Sequence, residues 1–99
     1  MAIFCADIGA ALPSAPLDLV VFSEIGYYFS ESMLRDIALG IAARMQAGGE
    51  FVAVHWLGHS DDHVMHGDTV HEALKDCLPL QWRSGVGYPG FRIDTWVRA

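Results

Sequence analysis

Several side chains capable of chemistry sit where two apolar runs break off. LDLVVF (17–22) is followed at once by Ser23 and Glu24, then by Tyr27 and Tyr28, and the run EFVAVHWL at about 50–57 closes on His55 and Trp56. In an open α/β sheet, ligands bind beyond the carboxyl ends of the strands. A carboxylate there can accept a proton or orient a basic group. An imidazole can serve as a base or a substrate contact, and aromatic rings can wall a site or stabilise positive charge through their faces. Each residue also has a plainer reading: an ordinary acidic loop residue, packing aromatics, and a hydrogen-bonded histidine at a strand end. His55, His59, His63 and His66 are spaced by four, four and three residues, which on a helix would give one face and suit zinc. However, Trp56 belongs to a strand pattern, and Gly58, Ser60, Asp61 and Asp62 make a loop. No metal is therefore expected, and a polar loop on the substrate side is the better reading. In the segment Gly67, Asp68 and His71, Asp68 reads as a helix N-cap.

The elements that must carry these residues follow from periodicity. AIFCA (2–6) is a short apolar run, and IGAALPSAP reads as a loop. LDLVVF is continuous and β-branched, the pattern of a strand buried on both faces of a parallel sheet. Gly26 permits a turn, and Ser30 or Ser32 can cap the helix that follows. Leu34, Ile37, Ala38, Ile41, Ala42 and Met45 recur at helical spacing, with Gly48-Gly49 expected to end that helix as a left-handed cap. A second helix is predicted over 69–77, ended by Pro79. LQWRSGVGY and FRIDTWV then read as strands joined by a turn at Pro89-Gly90. In the second of these, Phe91, Ile93, Thr95 and Val97 share one face, and Arg92, Asp94, Trp96 and Arg98 share the other. The order predicts one α/β unit spanning 1–99, with parallel strands followed by an antiparallel hairpin.

Composition limits the function classes. Of 99 residues, 53 % are apolar, which favours a packed chain over a disordered one. Twelve acidic against six basic residues give a net charge of −6, which argues against nucleic acid and against an anionic membrane surface as partners. Two cysteines, Cys5 and Cys77, make no disulfide framework. With no signal-peptide pattern and no apolar run long enough to span a bilayer, the expectation is a cytoplasmic protein with inert, buried thiols.

DLVVFSEIGYYFSESML followed by RMQAGGEFVAVHW resembles the central strands of class I S-adenosylmethionine-dependent methyltransferases. SEIGYY, VHWLGHSDD, HGDTVHEAL and the closing FRIDTWVR are similar to the nodulation-protein-S-like N-methyltransferases. The resemblance implies a Rossmann-like sheet, S-adenosylmethionine as cofactor, and an amine on a small or sugar-like acceptor. It places Asp7 and Ile8 at the adenine, Ser23 on the cofactor side, Glu24, Tyr27 and His55 in catalysis, and Tyr28 and Trp56 against the acceptor. The family's glycine-rich turn and its ribose-binding acidic residue have no counterpart in this sequence. The expectation is therefore a partial, C-terminal domain lacking the first strands, inactive unless joined by its missing half. A rival expectation comes from the same gap: a non-enzymatic assembly module whose open strand edge at 17–22 is covered by another copy in a homo-oligomer, with a histidine-rich metal-binding protein as the less favoured third reading.

Overall fold

The computed structural model describes residues 3–5, by backbone, and residues 16–99. In chain order the elements are β1 (Ile3–Cys5), β2 (Leu17–Ser23), a 3-10 turn (Gly26–Tyr28), α1 (Glu31–Ala42), β3 (Met45–Trp56), α2 (Gly67–Cys77), β4 (Gln81–Tyr88) and β5 (Phe91–Val97). The strands form one sheet in the order β1-β2-β3-β5-β4. β1, β2 and β3 are parallel, and β5 runs antiparallel to both β3 and β4. The predicted α/β sheet with an antiparallel end is thus the architecture observed.

One face of this sheet carries the core. Val20, Phe22, Phe51, Ala53 and Trp96 point into a cluster with Leu34, Ala38 and Ile41 of α1 and Val70 and Leu74 of α2. Phe51 lies 5.8 Å from Phe22 and 5.6 Å, edge-on, from Trp96, an arrangement aromatic pairs favour. The opposite face holds Val21, Val52, Val54, Ile93, Thr95 and Val97, all only half-buried. LDLVVF is therefore covered on one side among the described residues, where its unbroken apolar run predicts burial on both. The expected open edge of β2 is also corrected. β1 pairs with Leu19, Val20 and Val21, so the ladder groups of that stretch already have partners.

Two helix boundaries differ from those the pattern predicts. α1 starts as expected, with the Ser30 hydroxyl accepting from Met33 N at 3.3 Å. It stops at Ala42, well before Gly48-Gly49. The reason is competition for the backbone. Leu17 N donates to Arg44 O at 2.8 Å, drawing the chain into the sheet, and Met45 is buried as a strand residue opposite Leu17. Gly48 does adopt a left-handed φ of 82°, but inside β3, where that strand advances from Met45 to Glu50 while β2 advances from Leu17 to Leu19. This is a bulge, which a glycine tolerates. α2 begins at Gly67, and its cap is His66, not Asp68. His66 Nδ1 accepts from Asp68 N at 3.1 Å, and its Nε2 donates to Leu57 O at 2.7 Å. Asp68 instead stands in the first turn, where a negative charge is favourable, and pairs with Arg92 at 3.2 Å.

Cys77 carries a free, half-buried thiol, and burial pushes its pKa up, which keeps it protonated and unreactive. Among the described residues no helix is long and apolar enough to cross a membrane.

Candidate functional site

β2 must leave the sheet at Ser23, and Glu24 makes the exit with a φ of 61°. The left-handed region costs a non-glycine residue roughly 1–2 kcal/mol, and such strain gathers at functional positions. Three contacts hold Glu24 there. Its amide donates to Val54 O at 3.1 Å, Oε1 accepts from Trp56 N at 2.8 Å, and Oε2 accepts from the Tyr27 hydroxyl at 2.8 Å. The carboxylate thus ties the end of β2 to the end of β3 while remaining open to solvent.

Tyr27 is buried, with its hydroxyl shared between Glu24 and Trp56 O at 3.0 Å. Burial, together with the hydrogen bond and charge of Glu24, holds the phenol well above the usual tyrosine range, so Tyr27 acts as a proton-bearing donor toward Glu24. The carbonyl of Tyr27 accepts from Val64 N and Met65 N at 2.6 and 3.0 Å, fastening the 57–66 loop to the turn. His63 from that loop stacks on the Tyr27 ring at 4.0 Å. The exposed rings of Tyr28 and Trp56, 40 % and 44 % accessible, meet His63 edge-on at 5.3 and 6.1 Å. Glu24, Tyr28 and Trp56 therefore form the solvent-facing part of this corner, with Ser23 half-buried beside them.

The expectation that His55 reaches a substrate is corrected. His55 is fully buried. Its Nε2 accepts from Gly26 N at 3.1 Å, and its Nδ1 pairs with His71 Nε2 at 2.9 Å. Burial, with smaller contributions from His71 and His63, lowers its pKa to about 3, so it is neutral at pH 7. Behind it, His71 Nδ1 bonds Asp94 Oδ2 at 2.5 Å. Asp94 also accepts from Trp82 Nε1 at 3.0 Å and Arg92 Nε at 2.8 Å. Arg92 reaches on to Glu72 at 3.0 Å. His71 and Asp94 are fully buried as well. Neither stands out as a candidate in the sequence, although a signal exists: the strand alternation that buries Trp96 buries Asp94, and the α2 face that buries Val70 and Leu74 buries His71. The remaining histidines disperse among stacking, capping and solvent. Among the described residues no group of three or more His, Cys, Asp or Glu is arranged to hold a metal. Asp7 and Ile8 lie outside the described residues.

Gly26 is the contact between the turn and this buried chain. A Cβ there would lie 2.4 Å from Val70 Cγ1 and 3.0 Å from His55 Nε2. Gly26→Ala is expected to destabilise the fold by about 1–3 kcal/mol, as overpacking does. A urea midpoint unchanged from the parent chain would contradict this.

No family model and no curated protein matches this chain. Solved structures do. A structure assigned to a methyltransferase from Pseudomonas syringae superposes with a TM-score of 0.74 at 25 % identity, covering 89 % of this chain and 51 % of that one. The chain has the architecture of the C-terminal portion of a class I methyltransferase domain. The N-methyltransferase NodS from Bradyrhizobium japonicum WM9, in complex with S-adenosyl-L-homocysteine, shares the fold with a TM-score of 0.71 at 19 % identity, covering 94 % of this chain and 52 % of its own. An O-methyltransferase family protein from Burkholderia thailandensis also shares it, with a TM-score of 0.66 at 12 % identity over 86 % of this chain and 31 % of its own. The chain thus spans about half the length of the first two of these structures. In this methyltransferase-like frame, Glu24, Tyr28 and Trp56 occupy the carboxyl ends of adjacent parallel strands, the edge where open α/β sheets bind ligands.

Proposed function

We propose that this chain supplies the acceptor side of an S-adenosylmethionine-dependent methyltransferase whose acceptor is an amine on a small, sugar-like metabolite. The observation that supports it is the Glu24 carboxylate, held in a strained backbone at the end of β2 and flanked by the exposed rings of Tyr28 and Trp56. When bound, the cofactor supplies an electrophilic methyl group. Ser23 is the described polar side chain that would stand on the cofactor side, and each Glu24 oxygen accepts one hydrogen bond, from Tyr27 or Trp56 N, which leaves a second lone pair for a ligand. What this chain provides is a carboxylate to orient the amine and take up its proton, and ring faces that favour the developing positive charge. Tyr27, kept protonated, steadies Glu24. The half-exposed β-branched face of the sheet is the surface on which the rest of such a domain would pack. The same face would serve a homo-oligomer, and the free Cys77 thiol suits a cytoplasmic setting.

The test is reconstitution. The chain is mixed with a polypeptide carrying the glycine-rich half of the Pseudomonas syringae relative and assayed for methyl transfer from S-adenosylmethionine to small amines. Turnover is expected only with both parts present, and Glu24→Gln is expected to lower it by at least about tenfold. Micromolar cofactor binding by this chain alone, measured by calorimetry, would overturn the requirement for a second part. Absence of turnover in the mixture would overturn the activity.

A further inference from the structure

The hydrogen-bonded chain Gly26–His55–His71–Asp94 crosses the interior from the 3-10 turn to β5, and its two ends determine its direction. At one end the Gly26 N–H is a donor only, so His55 Nε2 must accept. At the other end Asp94 accepts hydrogen bonds from Trp82 and Arg92. A carboxylate in that position is an acceptor, so His71 Nδ1 must donate. A neutral imidazole holds one proton on one of two nitrogens. Donation from His71 Nδ1 leaves its Nε2 as an acceptor, and His55 Nδ1 must then donate to it across 2.9 Å. Both histidines are therefore the Nδ1–H tautomer, and no other assignment satisfies all three links. In the opposite assignment, His55 Nε2–H would face the Gly26 N–H, two donors about 3 Å apart in the interior, which is costly.

We infer that His71 and Asp94 are positioning residues. Acting through His55, they hold the 3-10 turn that carries Tyr27 and closes on Glu24, so a carboxylate on β5 orders the candidate site at the end of β2. The groups at the far end suit this role. Arg92 is itself braced by Asp68 and Glu72 of α2, so Asp94 is gripped from β4, from its own strand and from the helix that carries His71. At Gly26 the turn meets this chain directly: its N–H has His55 as its partner, and Val70 packs against it. The use of this order in methyl transfer rests on the function proposed above, whereas the ordering itself does not.

The experiment reads tautomers and local opening in the intact 99-residue chain. In nitrogen-15-labelled protein at pH 7, long-range nitrogen–proton correlations are expected to show both His55 and His71 as Nδ1–H. An Nε2–H tautomer at His55 would overturn the inference, and this reading needs no variant. Amide exchange then separates positioning from general support. His71→Leu removes the acceptor for His55 Nδ1–H and is expected to speed exchange at Gly26 and Tyr28 by about tenfold or more beyond any change it causes at Phe51 to Ala53 in β3. His71→Gln restores an acceptor oxygen and is expected to recover most of the protection. Equal loss of protection at Gly26 and Phe51, or no rescue by glutamine, would overturn a positioning role. Intact tautomers with no methyl transfer in the reconstituted mixture would leave this inference standing and overturn only the activity.

Discussion

Replacing Asp94 with alanine is expected to cost about 3–5 kcal/mol of folding stability, the range found when one partner of a buried charged network is removed. Three donors converge on this carboxylate: His71 Nδ1, Trp82 Nε1 and Arg92 Nε. Deleting it removes a partner from all three, and the loss is greatest at His71, which like Asp94 is fully buried, whereas Trp82 is 47 % exposed. A buried donor without a partner costs on the order of 1–3 kcal/mol, and more when it is charged. Arg92 recovers part of its loss through Asp68 and Glu72. Trp82 is exposed enough to turn to water, but His71 is fully buried and has no such alternative in these contacts. Asp94→Asn should be milder, because the amide keeps one oxygen, yet it still turns an NH2 group toward a donor. With the NH2 at the Oδ1 position it faces Trp82, and at the Oδ2 position it faces both His71 and Arg92. Against a typical total of roughly 5–15 kcal/mol for a domain, the alanine variant removes a large share. Asp76→Ala supplies the contrast. Its ion pair with Arg35 at 2.9 Å is exposed, and such pairs contribute about 0–1 kcal/mol. Urea titrations of the three variants beside the parent chain check the ordering. An Asp94→Ala loss no larger than that of Asp76→Ala would mean that the buried network contributes nothing net.

The contrast between those two aspartates also shows what the sequence could and could not reveal. Periodicity locates the elements because side-chain direction repeats with backbone geometry: LDLVVF, the Leu34–Ala38–Ile41 face and the FRIDTWV alternation all became the predicted strand, helix and strand. Boundaries were less legible because they depend on partners distant in sequence. Gly48-Gly49 has the composition of a helix cap, but pairing of Leu17 with Arg44 and Met45 ends the helix first. Asp68 has the composition of an N-cap, but the His66 ring takes that place because Leu57 O holds it there. At the site, a strand-end position marked Glu24, Tyr28 and Trp56, and these do reach solvent. The same rule placed His55 outward. Alternation along β3 decides otherwise: Phe51, Ala53 and His55 share the core face, whereas Trp56 lies on the other. Read as a face and not as an end, EFVAVHW would have put His55 inside. A histidine inside needs partners, and the other fully buried polar side chains among the described residues, His71 and Asp94, form the hydrogen-bonded chain with it. What no local pattern could show is that residues 26, 55, 71 and 94 meet, because that depends on the order β2-β3-β5 across the sheet.

Acid should destabilise this chain progressively from about pH 6.5 downward. His55 is held at about 3 in the folded state, against an ordinary value of about 6.5 in an unfolded chain. Between those two values the unfolded state binds a proton that the folded state refuses, so stability falls as pH falls, beginning near 6.5 and levelling off near 3. The loss accumulates at roughly 1.4 kcal/mol per pH unit, reaching about 2 kcal/mol at pH 5 and about 3 kcal/mol at pH 4 from His55 alone. His71 acts in the same direction. Its burial outweighs the attraction of Asp94, and its pKa is lowered as well. Asp94 adds a later contribution of the same sign. Burial by itself would raise its pKa, but the hydrogen bonds from His71 and Trp82 and the Arg92 charge hold it below the usual range. Its stabilisation is thus complete above about pH 4 and fades only below that. For a domain of this size, a loss of 3 kcal/mol corresponds to a drop of at least about 12 °C in Tm between pH 7 and pH 4. His55→Gln, whose amide does not titrate, should flatten the part of the profile that His55 supplies, even if its Tm at pH 7 is lower. The slope carries the argument, because a cavity or a lost contact shifts the whole curve, whereas only a group that differs in protonation between the two states bends it. A parent profile flat from pH 6.5 to pH 4 would show that the histidines take up protons without leaving their places, and that the buried chain is open to water.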